Sequence, residues 1–265
     1  MKLRVCIAGA TGWVGKPLCL AVTEAEDLSL VGAVSPTKKG ALLRDWIDGI
    51  ESDLILTGSV EEALDTPTDV LVDYTKADVV KANVLAAINR RVHVVIGTSG
   101  LTEEDFVEIN QAATAARVGV IAAGNFAITA ALLQRFACEA AKYLSHWEIV
   151  DYASDRKVDA PSGTARELAF RLSEIRKPEV THPISETVGP KESRGAALGG
   201  SQVHSIRLPG YIIALDVVFG EQDERLTLRY EAGTGAAPYI QTTLLAVRRV
   251  GEQVGLIRGL DKLMP

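Results

Sequence analysis

Two stretches of this chain carry residue types whose spacing could do chemistry. In Gly9-Ala10-Thr11-Gly12-Trp13-Val14-Gly15, three glycines fall between an apolar run and a helical one. Gly9 permits a tight turn, Gly12 lets backbone approach a pyrophosphate, and Gly15 lets a helix pack close to a sheet. The amino end of that helix adds free N–H groups and the positive end of its dipole. Gly9, Thr11, Gly12, Trp13, Val14 and Gly15 are therefore candidate residues for wrapping a dinucleotide. The second stretch is Lys157-Val158-Asp159-Ala160-Pro161-Ser162-Gly163-Thr164-Ala165. A Ser-Gly-Thr turn opening a helix offers N–H groups to an anion, and a carboxylate suits such a pocket. Ser162, Gly163 and Thr164 are candidate carboxylate binders, and Lys157, the cation beside them, is the candidate catalytic residue. The same turn also reads as an ordinary cap, with Ser162 or Thr164 as the capping residue. One set of donors can do both.

The choice of dinucleotide is read at the end of the second strand. An acidic residue there would accept the ribose hydroxyls of NAD. This chain has Ser35-Pro36-Thr37-Lys38-Lys39 instead. With no carboxylate, two hydroxyls and two ammonium groups, Ser35, Thr37 and Lys38 suit a 2′-phosphate, which predicts NADPH, with NADH as the alternative. The plain reading of Lys38 and Lys39 is a solvated loop.

These loops need elements to hold them. Apolar runs over 3–8, 28–34, 69–74, 92–97 and 118–122 predict strands, and helical spacing covers 17–25, 76–90 and 102–116. Thr102 followed by Glu103, Glu104 and Asp105 has the form of a capped, acidic first turn. Continuous apolar strands separated by helices predict an α/β fold, a Rossmann-like doubly wound parallel sheet. Beyond it, helices are predicted over 128–144, 162–175 and 238–254, with strands over 147–151, 204–208, 211–219 and 226–231 around a polar, Pro- and Gly-rich segment at 177–200. Alternation in those strands predicts an antiparallel or mixed sheet, hence a second α+β domain. The expected division is 1–127 with 239–265 for dinucleotide binding and 128–238 for the second domain.

Bulk properties exclude several classes. A net charge of −6 argues against a nucleic-acid partner. No apolar run approaches the roughly 20 residues of a membrane span. Met1-Lys2-Leu3-Arg4 leads directly into a strand pattern, which predicts no leader. Cys6, Cys19 and Cys138 sit in apolar contexts and are odd in number, which predicts reduced thiols in a cytoplasmic protein. His93, His146, His182 and His204 lack ligand spacing, so no metal site is expected. His93 and His204 read as structural residues of strands, and Asp155 with Arg156 as a weak surface pair.

Set in order, Val5 to Gly15, Asp73-Tyr74-Thr75, Ile96 to Gly100, Ala123-Gly124-Asn125-Phe126, Lys157 to Ala165, His204 to Gly210 and Gly259 to Leu263 resemble the successive motifs of the 4-hydroxy-tetrahydrodipicolinate (dihydrodipicolinate) reductases. The resemblance covers the whole chain, and its most specific part is the run from Lys157 to Ala165. It implies a dinucleotide domain hinged to a substrate domain that also builds a homotetramer. It implies NAD(P)H-dependent reduction of a cyclic unsaturated imine dicarboxylate, on the route to diaminopimelate and lysine. By position, Gly12 to Val14 would touch the pyrophosphate. Asp73, Tyr74, Thr75, Gly97, Thr98 and Ser99 would line ribose and nicotinamide. Ala123, Asn125 and Phe126 would lie at the hinge near the nicotinamide amide, and Lys157, Ser162, Gly163 and Thr164 would hold substrate carboxylates.

The resemblance breaks on the substrate side. Where the family carries a His-His pair, its first member thought to be the general acid, this chain has Ala153 and Ser154. Other departures fall at Ala127, Thr129, Ala214, Tyr230, Glu231, Gly235, Ala237 and Pro238. Three readings follow: the family reaction with water, Lys157 or Tyr152 as proton donor; a paralogue acting on another carboxylated imine or unsaturated acid; or an NADPH-binding protein with little catalysis. The intact Lys157 and Ser-Gly-Thr turn speak against the third, and the first is favoured. A Tyr-x-x-x-Lys pair of the kind found in sugar- and nucleotide-modifying enzymes is absent, since position 153, four residues before Lys157, is alanine.

Overall fold

The computed structural model describes residues 2–263; Met1, Met264 and Pro265, which the expected domain limits include, lie outside the described residues. In chain order the elements are β1 (Leu3–Ala8), α1 (Gly15–Glu24), β2 (Leu28–Val34), α2 (Val60–Ala63), β3 (Val70–Asp73), α3 (Val80–Asn89), β4 (His93–Ile96), α4 (Glu103–Ala116) and β5 (Gly119–Ala122). There follow α5 (Ile128–Ala140), β6 (His146–Ala153), α6 (Gly163–Ile175), β7 (Ala196–Leu198), β8 (Ser201–Arg207), β9 (Ile213–Glu221), β10 (Glu224–Ala232), α7 (Ala237–Arg249) and β11 (Gly255–Arg258). Two compact units result, one of Met1–Ile128 with Ala236–Pro265 and one of Thr129–Gly235.

The first unit is a six-stranded sheet in the order β11-β5-β4-β3-β1-β2, with every pairing parallel. Strands buried on both faces are apolar throughout, and β3, β4 and β5 are nearly so. Leu71, Val80, Val84, Ile88, Ile96 and Ile109 belong to one buried cluster. α1 packs with α7 and α3 with α4, so the parallel sheet is wound in the Rossmann manner. The capped start of α4 takes the expected form: Thr102 Oγ1 accepts the Asp105 N–H while Asp105 Oδ2 accepts the Thr102 N–H.

Several boundaries differ from the sequence reading. The last helix ends at Arg249, and Gly255–Arg258 forms a sixth strand beside β5 where helix was expected to run on to 254. A 3-10 turn at Val250–Glu252 and extended backbone at Gln253 end the helical path before Gly255, at φ +89°, leads into the strand. The helix expected over 76–90 begins at Val80 after a turn, and that over 128–144 stops at Ala140.

The second unit is a five-stranded mixed sheet in the order β10-β9-β6-β8-β7, with β6 and β8 parallel. Burial alternates along β6: Trp147, Ile149, Asp151 and Ala153 are buried, and His146, Glu148, Val150 and Tyr152 are half-buried. α6 packs on this sheet. Within the segment read as polar loop, Ala196–Leu198 pairs with β8 as an edge strand too short to show a period.

Candidate active site

In the first unit, the glycine loop closes on its own backbone. Gly9 has φ +82°, and a Cβ there would stand 2.2 Å from the Tyr74 carbonyl oxygen. A Cβ on Gly15 would stand 2.0 Å from the Gly9 carbonyl, which also accepts the Gly12 N–H at 2.9 Å. Gly15 thus serves close packing against the loop itself. α1 starts with no side-chain cap and no acidic residue in its first turn, which leaves its amino end to an outside anion. Trp13 is exposed, its ring 5.6 Å from that of Tyr239 on α7, and Val14 lies beside it at the start of α1.

At the end of β2, Ser35 is buried and its hydroxyl lies 2.7 Å from that of Thr11, so strand end and glycine loop are tied together. Thr37 and Lys38 sit on a short 3-10 turn. The two ammonium groups differ: Lys39 pairs with Glu62 at 3.0 Å, whereas Lys38 lies over the Trp46 ring, 3.8 Å from its centroid. An aromatic face steers a cation without neutralising it.

Tyr74 is the meeting point of four segments. Its carbonyl abuts Gly9 and its ring covers Gly97. That ring lies 6.1 Å from Phe126, and its hydroxyl lies 2.8 Å from Thr243 Oγ1 on α7. Thr243 donates to the Tyr239 carbonyl at 2.7 Å, so the Tyr74 hydroxyl is the donor to Thr243. Thr75 and Thr98 come together through Asp73, which is fully buried. Its Oδ1 accepts from the Thr75 hydroxyl and the Thr98 hydroxyl, each at 2.6 Å, and its Oδ2 accepts from Asn83 at 2.8 Å. Ser99 is exposed at the next position. Ala123 bonds back to the Ile96 carbonyl, Asn125 Oδ1 accepts the Ala127 N–H, and the Phe126 carbonyl accepts from Thr242.

In the second unit, β6 delivers the chain into the loop that carries Lys157. The Lys157 ammonium lies 2.7 Å from Asp159 Oδ1. Partial burial works against the Asp159 anion, but the Lys157 hydrogen bond and charge outweigh it and hold that carboxyl below its ordinary range. Ser162 is the cap of α6: its Oγ accepts the Ala165 N–H, and its own N–H goes to Asp151 Oδ2 at 2.8 Å. The first intrahelical bond runs from Arg166 N to the Ser162 carbonyl, so the amides of Gly163 and Thr164 precede it.

Ala153 is buried and offers only a methyl group. Ser154 is engaged in its own turn, its hydroxyl 3.1 Å from Asp155 Oδ1. Tyr152 donates to Asp216 Oδ2 at 3.0 Å, and Arg229 holds the same carboxylate. Burial first, and Asp216 second, push the Tyr152 phenol above its ordinary value, which makes it a poor proton donor near neutrality. His93 Nδ1 accepts the Gly119 N–H at 2.9 Å, and His204 Nε2 meets Glu148 Oε2 at 2.7 Å. Among the described residues no group of three or more His, Cys, Asp or Glu could hold a metal, and no helix is long and apolar enough to cross a membrane.

Residues 3–126 match the sequence profile of the dihydrodipicolinate reductase N-terminus, and residues 129–264 that of its C-terminus. The chain belongs to the dihydrodipicolinate reductase family. It is 37% identical over 265 residues to the 4-hydroxy-tetrahydrodipicolinate reductase of Desulfitobacterium hafniense, covering 99% of each chain. It is 35% identical over 264 residues, again covering 99% of each, to the one from Syntrophomonas wolfei. Its structure is similar to the dipicolinate-bound dihydrodipicolinate reductase from Paenisporosarcina sp. TG-14, with TM-score 0.77, 31% identity and 100% coverage of both chains. An amine dehydrogenase from Mycobacterium smegmatis, 14% identical with TM-score 0.65 over 98% of this chain and 96% of the other, shares the fold.

As a dihydrodipicolinate reductase family member, the chain is an NAD(P)H-dependent oxidoreductase, and its glycine loop fits that cofactor. The positions facing the loop backbone are ones a Cβ would fill, and the adjoining helix end is uncapped. Sequence reading placed Asp73 among the ribose-lining positions without its buried network, and missed Asn83, Thr242 and Thr243. A signal for Asp73 was present: a carboxylate ending an otherwise apolar, fully buried strand needs donors around it, and Thr75 and Thr98 supply them.

Proposed function

We propose that this chain reduces 4-hydroxy-tetrahydrodipicolinate, a cyclic imine dicarboxylate, with NADPH, in the synthesis of diaminopimelate and lysine. One observation carries the reading: the Lys157 ammonium, steadied by Asp159, shares a loop with the Gly163 and Thr164 amides at the amino end of α6. A cation and a helix end on one loop suit a carboxylated substrate. When bound, the nicotinamide supplies a hydride. Gly9, Thr11, Gly12, Trp13, Val14 and Gly15 hold the pyrophosphate. Tyr74, Thr75, Gly97, Thr98, Ser99, Ala123, Asn125 and Phe126 frame the ribose and nicotinamide. Ser35, Thr37 and Lys38 receive the 2′-phosphate, with Lys38, which lies on Trp46 and pairs with no carboxylate among the described residues, as the cation. Ser162, Gly163 and Thr164 orient the substrate carboxylates. Lys157 Nζ gives the proton that accompanies the hydride and recovers it from solvent, since Ala153 has no proton to give and Tyr152 holds its own against Asp216.

The half-exposed face of the second sheet, bearing Glu148, Val150 and Tyr152, is where we place homotetramer contacts. Among the described residues Cys6, Cys19 and Cys138 form no disulfide, and burial pushes the Cys6 thiol up to about 12, which suits a reducing cytoplasm.

The test is NADPH oxidation with freshly generated 4-hydroxy-tetrahydrodipicolinate. Turnover well above background supports the reading. A background rate with tight NADPH binding by calorimetry favours the second reading, a paralogue acting on another carboxylated imine, for which the loss of side-chain acids at Ala153 and Ser154 is the specific observation.

A further inference from the structure

Asp151 lies on β6, fully buried, in an otherwise apolar row with Trp147, Ile149 and Ala153. Its Oδ2 accepts from three donors: Ser162 N at 2.8 Å, Arg207 Nη2 at 2.7 Å and Ser205 Oγ at 3.3 Å. Arg207 ends β8 and is the register partner of Ala153. Its Nη2 also donates to the Asp159 carbonyl at 2.8 Å, and its Nη1 to the Ile206 carbonyl at 2.9 Å. One ion pair therefore grips the substrate loop twice, at the backbone of Asp159 beside Lys157 and at the backbone of Ser162 that opens α6.

As a stabilising device this pair is poor. Asp151 Oδ1 and Arg207 Nε are buried without a hydrogen-bond partner among the described residues. Burying two charges and leaving atoms of each unsatisfied costs free energy that a well-packed apolar pair would not. What the pair does supply is direction. Guanidinium and carboxylate are planar groups with fixed lone-pair and N–H geometry, so each bond sets the angle of the next. We infer that Asp151 and Arg207 are positioning residues that fix the spacing between the Lys157–Asp159 dyad and the α6 amino end, and so match the loop to two carboxylates on one rigid ring. This inference rests on the reading that residues 157–164 hold the substrate.

Lysine at position 207 keeps the charge but lacks the fork that reaches both Asp151 and Asp159. The test compares Arg207→Lys and Asp151→Asn with the parent chain, using dipicolinate as a planar dicarboxylate probe. In both variants the Kd for dipicolinate and the KM for the imine rise about tenfold or more, as expected when a charge-assisted contact is loosened. The Kd for NADPH, held by the other unit, stays within about twofold of the parent. Unchanged dipicolinate binding in either variant, or an equal loss of NADPH binding, overturns the inference. A second measurement needs no variant. Amide exchange of the parent chain shows the Ser162 N–H protected like the amides of β6, while that of Val158, fully exposed on the same loop, exchanges freely. Equal exchange at the two sites overturns the strut even if the variants do not fold. A parent chain that binds no dipicolinate and reduces no imine defeats the substrate reading instead, and the exchange pattern still decides whether the pair holds the loop.

Discussion

The ring of Tyr74 occupies the space a side chain on Gly97 would need: a Cβ there would stand 2.2 Å from Tyr74 Cε1. The same tyrosine presses its carbonyl on Gly9, so two motifs separated along the chain are fitted to one residue. Gly97→Ala must push the ring off its seat and with it the Thr243 bond and the Phe126 contact. NADPH affinity is expected to fall about tenfold or more, measured by calorimetric titration. Gly220→Ala, whose Cβ meets open space, is the control and leaves affinity unchanged. Equal affinity in Gly97→Ala would show that the ring is not fixed where the cofactor is held.

The proposed preference for NADPH puts different weights on two adjacent lysines. Lys39 is neutralised by Glu62, while Lys38 lies on Trp46 and meets no carboxylate among the described residues. Lys38→Ala is expected to narrow the ratio of kcat/KM for NADPH over NADH by about tenfold, the value of one charge-assisted hydrogen bond to a phosphate. Lys39→Ala leaves the ratio within about twofold. A parent chain that prefers NADH, or a larger effect at Lys39, would reverse the assignment.

A pH dependence follows from His93. Burial lowers its pKa, with the Asp69 charge opposing, and its Nδ1 must keep a lone pair to accept the Gly119 N–H that ties β4 to β5. A depressed pKa means the unfolded chain takes up a proton that the folded chain refuses. The stabilisation is present above the unfolded value of about 6.5 and is lost as pH falls through the lower folded value. Thermal melts of the parent should show Tm dropping below pH ~6.5. His93→Asn, which keeps an acceptor but does not titrate, should flatten that slope; a parallel fall in both proteins would remove His93 as the cause.

The glycine loop, the parallel sheet and the Lys157 loop were legible because each is local: a strand buried on both faces is a continuous apolar run, and a phosphate turn needs its glycines a few residues apart. The family resemblance rested on the same short runs. Asp73 meets Thr98 and Asn83, and Asp151 meets Arg207, across separations that no spacing rule reaches. The strand at Gly255–Arg258 is four residues long and follows a helix with a clear period, too short to announce itself beside β5. The occupation of the Ser162 N–H by Asp151 was hidden for the same reason.

The missing acid can be put back, and the structure says where it fits. Ala153 is buried and its register partner on β8 is Arg207. An imidazole there must displace packed neighbours, at about 1–3 kcal/mol, and its charged form sits near a guanidinium, which lowers its pKa. Ser154 is only half-buried, on the loop that carries Lys157. Ser154→His alone should therefore keep the parent Tm, while Ala153→His lowers it. If loss of the acid is the main change in this chain, the double variant raises kcat on 4-hydroxy-tetrahydrodipicolinate, up to the ~10²–10⁴ a positioned general acid supplies, and its pH profile gains a limb near the histidine pKa. If Lys157 already gives the proton efficiently, the gain is small and Lys157→Gln abolishes turnover in the parent but not in the double variant. No gain together with full activity of Lys157→Gln in the parent would show that neither side chain is the donor, leaving water as the source.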